Sequence, residues 1–451
     1  MMITNEAQAS VDDVFARLAQ LEAEAETTRR LVDDAPHTHI DALTALGQAY
    51  LETGNTPKAL TQFEEALDVA EAADDSTAQA RLWGFKGMCL LRLGNANFAQ
   101  RALFRALNLA KETNQTALII DTLIRIGDLH AKTGQQTKAI SRLEQAFGIA
   151  MQAGEHNRQM LVAGQLGELF LAMEAHDKAI EYFASAQETA ETVDNPRAAA
   201  AFQVSIGNAL LGEDNGEAAA QQFEAALETA DGLEDNVTQM RALNGLLRTQ
   251  IAAEKVSMAV LYADRLVQLA QEIADPLAEI NNLNLLIAFL LQQGQVKKAI
   301  PYLNRGIEIA RAQEDWAWQL SMLTNLGFAQ HQLEALSPAL DAYTEARRWA
   351  EQLQDQPALA QLQGRIGAVL ADMGDTEAGI AAVQRALTLA TELEDPSLIG
   401  EQQILLAFLY HDQGDRTRAL DYCRQAAATF AATGDEIFAA QAEALMVELG
   451  V

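Results

Sequence analysis

The 451-residue sequence holds two cysteines, eight prolines and seven histidines, and aromatic residues make up only 6% of it. Cys89 and Cys423 cannot supply a disulfide framework. Scarce proline leaves long helices uninterrupted. No convincing alternation of β-branched residues is present, so strands are not expected. Basic residues are also few, 32 Lys and Arg against 63 Asp and Glu, for a net charge of −31. A nucleic-acid partner needs cationic side chains against its phosphates, so nucleic acid is not an expected partner, and neither is an anionic membrane surface. The longest apolar run, Leu285 to Leu291, falls far short of the ~20 residues of a spanning helix. The opening MMITNEAQASVDDVFARL has no positively charged stretch followed by an apolar one, so no secretory signal is expected. These absences together predict a cytoplasmic protein.

Motifs of catalysis are absent as well. There is no GxxxxGK[ST], GxGxxG, HExxH or GxSxG. His37 and His39 form a short HTH tripeptide, and His331 and His411 are separate polar residues of one repeat column. None is expected to bind metal, no cofactor is expected, and the chain is not expected to be an enzyme. Cys89 and Cys423 fall in or beside packing columns and read as small buried hydrophobes.

What fills the sequence instead is a period of 40 residues. Glycine recurs at 47, 87, 127, 167, 207, 327 and 367, replaced in phase by Leu247, Ile287 and Ala407. Alanine recurs from Ala59 to Ala419, with Gly379 as its one exception. A column from Ala70 to Ala390 is alanine at every step, and no insertion or deletion is needed across ten repeats. Each unit reads as two helices of about 17 residues, here helix A and helix B, roughly 25 Å long. Turns such as GNTP at 54, GNAN at 94 and GDTE at 374 separate A from B. An aspartate column (Asp75, Asp235, Asp275, Asp315, Asp355, Asp395, Asp435) caps the start of the next helix A. Leucine and isoleucine in the Gly47 column, with Ala263 and Gly306 nearby, read as compensating volume swaps in repeats 6 and 7.

Leu43, Leu46-Gly47, Tyr50, Ala59, Phe63 and Ala66, in that spacing, resemble the tetratricopeptide repeat signature over residues 40 to 433. The 40-residue unit is similar to the longer-helix form of LGN/Pins-type scaffolds, and in length to repeats of kinesin light chains and bacterial signalling regulators. The resemblance implies an all-α, right-handed superhelical solenoid of ten repeats. The expected boundaries are an N-terminal capping helix in 1–36, ten repeats in 37–434, and a C-terminal capping helix in 435–451.

The resemblance also implies that helix A lines a concave groove. The inward positions there carry Arg81, Arg125, Asn208, Arg241, Asn244, Arg248, Asn281, Asn284, Asn325 and Arg365. Asparagine both donates and accepts hydrogen bonds, so it can hold the backbone of an extended peptide. The expected function is a non-enzymatic scaffold that binds an extended segment of a partner protein or peptide in this groove. Two alternatives are a sensor solenoid acting in trans on an effector, and a structural subunit that self-assembles, with Trp316 and Trp318 at the interface. The clamp that grips chaperone tails is not expected, because Thr44 and Gln48 stand at its positions. Oligomeric state is left open.

Overall fold

The computed structural model describes residues 3–433 and 436–448, as 22 helices with no strand among the described residues. The chain divides into two compact units, Met1–Lys255 and Val256–Val451. Unit 1 holds α1 (Ile3–Arg29) and five helix pairs. These are α2 (Pro36–Glu52) with α3 (Thr56–Ala72), α4 (Ser76–Arg92) with α5 (Ala96–Glu112), α6 (Thr116–Lys132) with α7 (Gln136–Ala153), α8 (His156–Ala172) with α9 (His176–Thr192), and α10 (Pro196–Gly212) with α11 (Gly216–Gly232). It ends on α12 (Asn236–Ala252). Unit 2 opens with α13 (Val256–Glu272). Four pairs follow: α14 (Pro276–Gln292) with α15 (Val296–Ala312), α16 (Trp316–Gln332) with α17 (Leu336–Leu353), α18 (Gln356–Asp372) with α19 (Thr376–Glu392), and α20 (Pro396–Asp412) with α21 (Arg416–Thr433). Unit 2 closes on α22 (Glu436–Glu448).

The turns explain the unbroken period. After α2, Gly54 takes the left-handed conformation and the Asn55 N–H reaches back 2.7 Å to the Tyr50 carbonyl, satisfying an end-of-helix acceptor. The same geometry recurs in the turn between repeats, where Asp74 is left-handed and the Asp75 N–H lies 3.0 Å from the Ala70 carbonyl. Asp75 then caps α4, its carboxylate accepting from the Ala78 N–H at 2.9 Å. Asp235, Asp275, Asp315, Asp355 and Asp395 cap in the same way. The cap expected at Asp435 and the boundary at 434/435 lie outside the described residues. Four A-to-B turns put Glu174, Asp214, Glu254 and Glu334 in the left-handed region where others have glycine. The turn geometry is therefore held by the helices on either side, at a local conformational cost.

Glycine and alanine set the distance between helices. A Cβ on Gly47 would lie 2.5 Å from the Phe63 ring, and one on Gly327 would lie 2.6 Å from the Tyr343 ring. Each aromatic side chain of helix B thus seats directly on helix A's backbone. The exception in the alanine column follows the same logic: a Cβ on Gly379 would sit 2.7 Å from the Gly367 carbonyl, so α18 and α19 approach too closely for alanine. In repeat 7 the space above Gly306 is filled by Met322 and Trp318 of the next helix A.

At the first end, α1 packs on α2, with Thr28 Oγ1 2.9 Å from His39 Nδ1 and the Tyr50 hydroxyl donating to Glu22. The first helix A begins at Pro36, one residue before the expected boundary. At the other end α22 packs on α21, burying Ala442 and Leu445.

Candidate binding surface on the A helices

Neighbouring A helices touch one another within each unit, α4 with α6, α6 with α8 and α10 with α12 in unit 1, and α18 with α20 in unit 2. Side chains of these paired A helices therefore stand on a shared surface.

In unit 1 the expected residues differ in availability. Arg81 reaches Asp41 of the preceding helix A at 2.9 Å. Arg125 is consumed by the fold: its guanidinium lies over the Phe85 ring at 4.6 Å and fills the space left by Gly84. Burial holds its pKa below the ordinary arginine value. Asp121, whose charge acts on Arg125, is taken by Arg158 through two bonds of 2.7 and 3.0 Å. Arg241 and Arg248 are exposed on α12, whereas Asn208 and Asn244 are half-buried. In unit 2, Asn281 is exposed and Asn325 half-buried. Asn284 accepts from the indole N–H of Trp318 at 2.9 Å, so it is spent on joining α14 to α16. Arg365 stacks over Phe328 at 5.8 Å.

Besides a cavity beside Arg81 and Asp41, the surface holds two that the sequence reading did not single out. In unit 1 a cavity of about 500 Å³ opens between α6, α8 and α10. Its wall is apolar, with Met160, Leu161, Leu169 and Phe202, and Asp128, Gln165 and Glu168 also line it. Leu161 is 51% exposed there. Asp128 is paired with Lys132 at 3.0 Å, whereas Glu168 stands exposed. In unit 2 a cavity of about 250 Å³ opens between α16, α18 and α20, with α17 adding Tyr343. Arg365, Glu401 and Gln402 line it. Both cavities border a glycine of the Thr44 column, Gly164 in one and Gly364 in the other. Most other members of that column carry a branched side chain or an asparagine. Glycine at an inward helical position was the available signal for both.

The remaining candidates resolve into packing. His39 is buried against Thr28, and His37 lies 3.1 Å from the capping carboxylate of Asp75. His331 bonds to Asp372 at 2.6 Å. Among the described residues no three His, Cys, Asp or Glu side chains are grouped to hold a metal ion. Cys89 and Cys423 are fully buried free thiols, and burial pushes the Cys89 thiol up to about 11. Trp316 stacks on Trp349 at 4.6 Å, and both Trp316 and Trp318 are half-buried. No helix among the described residues is long and apolar enough to cross a membrane.

Comparison with known proteins places this architecture. Solved structures of similar fold include BtubC from P. vanneervenii, at 17% identity and TM-score 0.41 over 58% of this chain and 92% of that one. They include a signal transduction ATPase with numerous domains, carrying a tetratricopeptide repeat sensor, from Pyrococcus horikoshii, at 13% identity and TM-score 0.47 over 92% and 72%. Aspartyl phosphate phosphatase F from Bacillus subtilis matches at 13% identity and TM-score 0.41 over 79% and 94%. No curated protein sequence matches. The tetratricopeptide repeat family model matches residues 38–112, 118–192 and 277–352, together just over half of the chain. With its 40-residue period and paired helices, the chain belongs to the tetratricopeptide repeat family.

Proposed function

We propose that this chain is a non-catalytic cytoplasmic adaptor that binds an extended segment of a partner protein on its A-helix surface. The observation that carries this reading is the open apolar cavity of unit 1, where Leu161 stays 51% exposed beside Phe202. An exposed apolar concavity with a few polar groups at hand is the usual form of a ligand-binding surface. The chain's net charge of −31 and the exposed Glu168 favour a segment with an apolar anchor residue flanked by lysine or arginine. Gln165 and Asn208 offer both donors and acceptors to such a segment's backbone. In unit 1, Arg81, Arg241, Asn244 and Arg248 extend the surface; in unit 2, Asn281 and Asn325 belong to the same reading.

Selection of a displayed random-peptide library on the full chain tests it. The expected peptides share an apolar residue next to a basic one. Leu161→Glu, on an exposed side chain, is expected to weaken them by about tenfold or more, as a buried charge in an apolar seat costs at least that. Peptides that bind the Leu161→Glu chain as well as the wild type, or that share no apolar anchor, overturn the proposal.

A further inference from the structure

The cavity of unit 2 holds one cation and one anion that do not bond to each other. Arg365 lies over Phe328 at 5.8 Å and against the Tyr343 phenol, and no carboxylate among the described residues pairs with it. Glu401 lines the same cavity and is exposed at its mouth, likewise without an ion pair among the described residues. The floor is Gln402, only 4% exposed, whose Oε1 has no hydrogen-bond partner and sits over the notch of Gly364. Its amide is turned into that notch and closes the cavity floor. Phe328, Ala368 and Leu405 give the rest of the wall an apolar character.

The remaining charged groups nearby are already engaged or stand back. His331 is bonded to Asp372, and Asp395 caps α20 through the Leu398 N–H. Arg365 contrasts with Arg125, which occupies the same column six repeats earlier and sinks into the notch of Gly84. The matching position before Arg365 is Thr324, which offers no notch, so the Arg365 guanidinium stays at the cavity wall.

We propose that this cavity is a receptor for a free α-amino acid bound as its zwitterion. The α-carboxylate takes charge-assisted bonds from Arg365. The ammonium donates to the Glu401 carboxylate. The side chain turns to Phe328 and Leu405, which selects apolar amino acids. A zwitterion answers both charges of the lining, which neither a simple carboxylate nor a simple amine does. This reading is independent of segment binding in unit 1, since it uses none of the same residues.

Calorimetric titration of the full chain with each of the twenty free L-amino acids tests the proposal, followed by the N-acetyl and α-amide derivatives of the tightest binder. At least one apolar amino acid is expected to bind saturably, and each derivative is expected to lose about tenfold or more in affinity. Arg365→Gln is expected to abolish binding. Glu401→Gln, on an exposed side chain, is expected to weaken it by about tenfold with the unfolding midpoint nearly unchanged, which separates loss of the site from loss of the fold. The proposal is overturned if no amino acid binds, or if Glu401→Gln binds as tightly as wild type. It is also overturned if the N-acetyl derivative matches its parent, because the site would then take a carboxylate alone, as from a peptide C-terminus.

Discussion

In unit 1 the notch at Gly164 receives the ring of Phe202, and in unit 2 the notch at Gly364, five repeats on, receives the amide of Gln402. Phe202 and Gln402 belong to one column, as do the two glycines. A Cβ on Gly164 would come within 3.2 Å of the Phe202 ring, so each incoming side chain depends on the missing Cβ below it. The backbone device is therefore the same, and one side chain decides whether the cavity beside it is greasy or polar. A repeat array can vary its surface chemistry in this way without altering its period, because the glycine column that spaces helices A and B lies three residues away and is untouched.

Exchanging the two side chains breaks the comparison. Phe202→Gln should have the largest effect. The ring is half-buried and packs with Met160, Ala190 and Ala199. Its removal forfeits apolar burial and puts an amide against an apolar wall, for about 2–3 kcal/mol of lost stability. Urea unfolding followed by far-ultraviolet circular dichroism reads this as a lowered midpoint. A midpoint within error of wild type would show that the ring only covers the notch and carries no packing.

The opposite change should stabilise. Gln402 is only 4% exposed and its Oε1 is unsatisfied, a cost of roughly 1–3 kcal/mol. Gln402→Leu keeps most of the volume and removes the orphan, so the midpoint should rise by the equivalent of about 1 kcal/mol. A fall in the midpoint would mean that the amide is satisfied in solution.

The column structure that permits these exchanges was readable before any coordinates. Ten repeats, the turn positions and the aspartate caps all follow from strict spacing, because local turn geometry and helix length repeat without insertions. Exposure at Arg241 and Asn281 agrees with the surface position expected of them. What the columns do not carry is the reach of long side chains into the next repeat. Arg125 and Asn284 hold inward positions, yet Phe85 and Trp318 from neighbouring A helices claim them. Availability depends on a pair of residues about 34 to 41 positions apart, such as Gly84 with Arg125 or Asn284 with Trp318, and a single column shows only one of them. The inward glycines were visible all along, but their meaning rests on what enters the notch. The left-handed Glu174, Asp214 and Glu334 were also hidden, since the helices flanking each turn override the residue's own preference.

The smallest effect sharpens the comparison through pH. In the cavity of unit 2, burial raises the Glu401 carboxyl above its ordinary value of 4.5, against an opposing pull from Arg365. A carboxyl whose folded pKa is raised favours the folded state most when protonated. Its contribution is complete below the unfolded pKa and is lost as pH climbs through the folded one. Glu401→Gln cannot ionise and escapes that loss. Its midpoint should therefore match wild type near about pH 4 and exceed it slightly near about pH 7, by less than ~1 kcal/mol because the side chain reaches solvent. A saturating amino acid should reverse the order at neutral pH, because its ammonium favours the charged form of Glu401 that only the wild type can supply. A midpoint difference that is the same at both pH values would separate Glu401 from the desolvating wall of the cavity, and with it the claim that the cavity holds its two charges apart.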